Sequence, residues 1–81
     1  MNLDALKDSK KVVGTKQTLK AVQKNIAVKV FVAEDAETRV LMPLFELCSE
    51  KNIEVIKVES MAELGKACGI DVGTASAAIV Q

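Results

Sequence analysis

Two runs, AVKVFVA at residues 27 to 33 and IEVIKV at residues 53 to 58, are dense in β-branched residues and bounded by polar or turn-forming positions. Runs of that length and composition predict inner strands. A brief strand at Lys11 to Val13, ending at Gly14, and a last one at Ala75 to Val80 make four. Between them the apolar positions recur every three or four residues, which is the helical period. The first helical segment, residues 2 to 9, turns Leu3 and Leu6 inward with Ala5 beside them. The second runs from Thr15 to Lys24, with Thr15 as its cap, because a hydroxyl there can accept a bond from an orphaned first-turn amide. At about 100° per residue, Thr18, Leu19, Val22 and Ile26 share one side of it, while Lys16, Gln17, Lys20 and Lys24 fall in a separate arc.

The acidic turn Glu34-Asp35 leads to a third helix, capped by Asp35 or Thr38, with Val40, Leu41, Leu44, Phe45 and Cys48 on its inner stripe. Pro43 interrupts that stripe. Proline lacks an amide and clashes one turn back, so this helix is expected to begin near residue 41 or to bend there. Ser60-Met-Ala-Glu63 has the spacing of a capping box, and Gly69 is placed to stop the fourth helix. The loop that follows, IDVGT at residues 70 to 74, leaves Ile70 and Val72 with no evident core to fill. Strands alternating with helices imply a parallel or mixed sheet covered on both faces, with right-handed crossovers.

The chain has 81 residues, enough for one compact domain, expected to span residues 1 to 81. No apolar run approaches the roughly 18–20 residues that cross a bilayer, and the start MNLDALKD lacks the features of a secretory signal, so the expected compartment is the cytoplasm. Histidine is absent and the two cysteines, Cys48 and Cys68, stand apart at apolar helical positions. Most zinc sites, imidazole bases and nucleophilic triads are thereby excluded, and the thiols read as reduced core residues. The net charge of zero conceals a polarity: residues 1 to 30 carry seven lysines against two aspartates, whereas residues 31 to 81 carry four basic and nine acidic side chains. Such a chain can present one cationic face to a polyanion.

The candidate surface is the Gly14 turn and the lysine stripe behind it. Glycine lets backbone come close to a ligand, and a helix start offers amides and a positive dipole end. Neither the G-x-x-x-x-G-K-[ST] nor the G-x-G-x-x-G pattern occurs, which argues against nucleoside triphosphates. Phe31 and Phe45 are the only aromatic residues, and both fall at core-facing positions. A reader of RNA that stacks bases on aromatic rings is disfavoured; recognition would use hydrogen bonds from Lys16, Gln17 and Lys20, with Lys24 further along the stripe, and apolar contact from the Ile70, Asp71, Val72, Gly73 and Thr74 loop.

Four blocks carry a family likeness: GTKQTxK from Gly14 to Lys20, AEDAE from Ala33 to Glu37, LCxxKN from Leu47 to Asn52, and LGKACGI from Leu64 to Ile70. In this order, with one register from about residue 3 to the end, the chain resembles the L-seven-Ae family of ribosomal proteins, which bind kink-turn RNA, and in particular its small bacterial members. The resemblance implies a three-layer α-β-α sandwich around a four-stranded mixed β-sheet. It also implies that Gly14, Thr15, Lys16, Gln17 and Lys20 enter the groove at sheared G·A pairs. Glu37 and Leu41 would contain a flipped-out base, which Ile70, Asp71 and Val72 would cover. Archaeal and eukaryotic members place Asn-Glu where this chain has Lys16-Gln17. A glutamate accepts guanine N–H donors with full charge, and such bonds are roughly twice as strong as neutral ones, so this chain trades groove discrimination for phosphate attraction and a steeper salt dependence.

The expected function is therefore cytoplasmic, non-enzymatic binding of kink-turn RNA by a monomer, in the ribosome or on another structured RNA, with no metal or cofactor. Two rivals exist. An adaptor would dock another protein through the acidic second half; an enzyme would use Glu34 or Asp35 at a strand end, where open α/β sheets bind ligands.

Overall fold

The computed structural model describes residues 4–81. In chain order these form α1 (Asp4–Asp8), β1 (Lys11–Val13), α2 (Thr15–Gln23), β2 (Ala27–Ala33), α3 (Thr38–Glu50), β3 (Glu54–Val58), α4 (Met61–Ala67) and β4 (Ser76–Val80). Leu3 lies outside the described residues, and for Ala5 only the backbone is described, so their expected inward faces lie outside that description. The strands form one mixed sheet in the order β1-β4-β2-β3, with β4 antiparallel to both neighbours and β2 parallel to β3.

Alternation along β2 assigns the two faces. Val30 and Val32 pack with Ala21 and Val22 of α2 and with Leu41, Leu44 and Cys48 of α3. Phe31 and Ala33 point the other way and pack with Leu6 of α1, Leu64 of α4 and Cys68 at the end of α4. The result is a three-layer α-β-α sandwich. Val30 to Ala33 are all buried, as a strand covered on both faces requires.

Three of the helices end in the same way. Lys24-Asn25-Ile26, Lys51-Asn52-Ile53 and Cys68-Gly69-Ile70 each place their middle residue at positive φ: 62°, 58° and 81°. In each case its amide and the isoleucine amide after it return to the last turn. Asn25 and Ile26 bond to Val22 and Ala21, Asn52 and Ile53 to Ser49 and Cys48, and Gly69 and Ile70 to Lys66 and Gly65. These are Schellman closures, in which a left-handed residue satisfies the orphan carbonyls and an apolar residue follows. Ile26, Ile53 and Ile70 are thus consumed in ending helices. Ile26, expected on the inner side of α2, is instead exposed, because the chain has already left the helix.

Helix starts depart from expectation more. Gly14, not Thr15, is the N-cap of α2, and Glu37, not Asp35 or Thr38, is that of α3, with no side-chain cap at either. The Asp35 carboxylate caps α4 instead: its Oδ1 accepts from the Met61 amide at 2.8 Å, while Ser60 Oγ accepts from the Glu63 amide at 3.1 Å. A helix start therefore takes its acceptor from a loop 26 residues away, which no local pattern reveals. Pro43 neither starts α3 nor ends it; the helix runs unbroken past the proline. The stripe Leu41, Leu44 and Cys48 is buried on both sides of it, and that packing outweighs one missing bond to the Arg39 carbonyl. Val40, expected on the stripe, is exposed, and Phe45 is only half-buried.

Because Pro43 is exposed, Pro43→Ala restores the missing amide without disturbing the core and is expected to raise the urea midpoint, by about 1–3 kcal/mol of stability. A lowered midpoint would show that the fixed φ of proline is worth more than the bond. Burial pushes both thiols above their ordinary value of 9.0, opposed at Cys68 by the Lys11 charge. A group that the fold holds protonated contributes stability that is complete below its unfolded value and is lost as pH rises through the folded one. Urea midpoints should therefore decline above that ordinary value, and more steeply in the natural chain than in a Cys48→Ala, Cys68→Ala variant.

Candidate nucleic-acid interface

The sheet register gathers four segments at one end. Val13 opposes Ala77, Val32 opposes Ser76, and Ala33 opposes Val58. The end of β1 with the start of α2, the end of β2 with the 34–37 segment, the end of β3 with the start of α4, and the 70–75 segment entering β4 therefore lie together.

The start of α2 is open. Gly14 has φ 100° and ψ 149°, a region essentially reserved for glycine, although an added Cβ there would meet nothing within 4 Å. The residue is needed for its conformation, not for space. Glycine supplies no side chain to cap the first turn, and that turn holds no acidic residue. Outward-facing amides, the positive dipole end and the exposed ammonium groups of Lys16 and Lys20 thus act in the same direction, toward an acceptor-rich ligand.

Ser76 ties this helix start to the loop. Its carbonyl accepts from the Gly14 amide and from Thr74 Oγ1, both at 2.9 Å, and its own Oγ donates to Thr15 Oγ1 at 2.9 Å. The expected capping hydroxyl of Thr15 is spent on β4. At its other flank the loop rests on α4. The Thr74 amide donates to the Met61 carbonyl at 3.1 Å, and a Cβ on Gly65 would run into the Val72 carbonyl. Ile70 is held by the closure of α4, so only Asp71, Val72 and Gly73 face solvent. Val72 is 71% exposed, more than the exposed Ile26, Val28, Val40 or Met42. It is an apolar side chain held out on a loop that is pinned at both ends.

The predicted residues divide accordingly. Gly14, Thr15, Lys16, Gln17, Lys20, Asp71, Val72 and Gly73 share the one end; Thr74 is buried and structural, and Ile70 half-buried. Lys24 caps the far end of α2, roughly 13 Å along the axis at 1.5 Å per residue, beside the Lys51–Asn25 hydrogen bond. It stands outside the cluster. Glu37 is at the same end but pairs with Arg39 at 3.2 Å, both well exposed. Leu41 is 3% exposed and shows only a flank, to an open cleft of about 370 Å³ that Glu34, Thr38, Phe45 and Lys57 also line. Glu37 is not among the residues that line it. Sequence reading missed Ser76, Gly65 and Arg39. The KN/CG-I repeats mark where helices stop, but nothing local marks a serine in β4 as the partner of a threonine 61 positions earlier.

The chain matches the model of the family described as ribosomal protein L7Ae/L30e/S12e/Gadd45 over residues 2–81. It is similar to an RNA-binding protein of Caldanaerobacter subterraneus subsp. tengcongensis, 51% identical over 71 residues, covering 88% of this chain and 87% of that one. It is 45% identical over 76 residues to the RNA-binding protein YbxF of Geobacillus stearothermophilus, covering 94% of this chain and 93% of that one. Among solved structures, the Giardia lamblia 15.5kD RNA binding protein superposes with a TM-score of 0.88 at 27% identity, covering 98% of this chain and 70% of that one.

Gly65→Ala tests the seating of the loop. A methyl in helix α4 would ordinarily help, yet here it must displace Val72, so a loss of about 1–3 kcal/mol is expected in urea denaturation. Unchanged stability would mean that the loop is not braced on α4.

Proposed function

The chain belongs to the ribosomal protein L7Ae/L30e/S12e/Gadd45 family, and from that premise we propose that it is an RNA-binding protein, not an enzyme, whose one domain holds kink-turn RNA in its bent form. The observation that carries the reading is the joining, through Ser76, of an uncapped, glycine-led helix start to a loop presenting Val72. Lys16 and Lys20 attract phosphate, the first-turn amides and Gln17 meet guanine edges at sheared G·A pairs, and Val72 covers a displaced base. Only a bent RNA offers the groove and the base at one spacing, so binding draws the population toward that form. The enzyme alternative loses its best carboxylate, since Asp35 is occupied as the cap of α4.

The protein acts as a monomer in the cytoplasm, on ribosomal RNA or another structured transcript with the same motif. Among the described residues no helix is long and apolar enough to cross a membrane. The family's ribosomal description and the relatives' RNA-binding names support the RNA side of this reading.

In titrations against a kink-turn RNA, the natural chain should bind in a salt-dependent way and lose that binding when the G·A pairs are replaced. Lys20→Ala should weaken it by about 1–3 kcal/mol, taking the range of single base contacts. Equal affinity for the two RNAs would favour the protein adaptor, and an unaltered Lys20→Ala affinity would remove that lysine from the interface.

A further inference from the structure

We propose that Ser76 is a positioning residue for RNA recognition, the centre of a relay in which its carbonyl holds Thr74 and its hydroxyl holds Thr15, keeping loop and helix start at one spacing; the inference rests on the kink-turn reading above. Thr74 and Ser76 are 8% and 0% exposed, and with Thr18 they are the buried polar residues among those described. Burying a hydroxyl costs free energy unless it is bonded, and alanine, which already fills 75, 77 and 78, would suit the same strand. Thr18 Oγ1 has no hydrogen-bond partner among the described residues, whereas the Thr74 and Ser76 hydroxyls are accounted for by what they join. Thr74 Oγ1 donates to the Ser76 carbonyl and thereby fixes the last residue of the loop to the strand. Ser76 Oγ donates to Thr15 Oγ1, one residue past the Gly14 amide that the same carbonyl accepts.

The relay lies behind the interface, not in it, since Ser76 has no exposed surface. Its contribution is to spacing. RNA that must present a groove and a displaced base together gains from a receptor whose two contacts cannot drift apart, because less ordering remains to be done on binding. A relay of this kind should act on dissociation of the bent RNA and leave the electrostatic attraction of Lys16 and Lys20 as it was.

The test compares the natural chain, Ser76→Ala, Thr74→Val and the double variant against a kink-turn RNA and its counterpart with replaced G·A pairs. Each single change is expected to lower kink-turn affinity about tenfold, the worth of one good hydrogen bond, mainly through faster dissociation. The salt slope and the weak binding of the control RNA should stay constant, and, because Ser76→Ala keeps the carbonyl that Thr74 bonds, the double variant should bind at least as weakly as the weaker single one. Where Ser76→Ala lowers the melting temperature enough to confuse the comparison, Thr15→Val cuts the same relay at a half-buried site, and Thr15→Ser should recover most of what it loses. Unchanged kink-turn affinity in Ser76→Ala and Thr15→Val, or an equal loss toward both RNAs, overturns the proposal while the functional reading stands. A natural chain that fails to distinguish the two RNAs overturns both.

Discussion

The start of β4 is where this molecule becomes more than a sandwich. A strand antiparallel to both neighbours begins where they end, so its first residue meets the helix that leaves β1 and the segment that leaves β2. Ser76 occupies that position. Its carbonyl has two lone pairs and uses both, one on the Gly14 amide and one on Thr74. The helix start and the loop are thus both tied to a sheet end.

The charge polarity of the chain resolves less simply in space than along the sequence. Lys16 and Lys20 are at the end that gathers the start of α2 and the 70–75 segment, but so are Glu34, Asp35, Glu37 and Asp71, and Lys24 is at the other end of α2. A uniformly cationic face is not what the fold builds. Two of the acids have local partners: Asp35 serves the amide of Met61 and Glu37 faces Arg39. The attraction for an acceptor-rich ligand is therefore concentrated at one helix start, where uncapped amides, a dipole end and two ammonium groups coincide. The arrangement is one of local geometry more than of net charge, in a chain whose net charge is zero.

Much of the fold was legible because it rests on short-range patterns. The run Val30 to Ala33 could only be an inner strand, and the glycine at 14 marked a turn before a helix, so the layer architecture and the position of that helix start followed from local signals. The failures have a common cause. Thr15, Asp35 and Val40 were read from their neighbours in sequence, whereas their roles depend on β4, on α4 and on which part of α3 the sheet covers. A helix start near residue 41 was overruled in the same sense: α3 begins at Thr38 and continues through Pro43, with buried residues on either side of it.

Residue order alone determined the elements, the two-faced covering of the sheet and the glycine-led helix start, since periodicity, propensity and the steric freedom of glycine act within a few bonds. Tertiary structure alone decided that Ser76 joins Thr15 to Thr74, that Asp35 caps a helix 26 residues on, and that Lys24 is excluded from the cluster. Those relations are distances across the fold. A side chain's neighbours in the chain limit its conformation, but its hydrogen-bond partner is chosen by whichever strand or helix the register sets beside it.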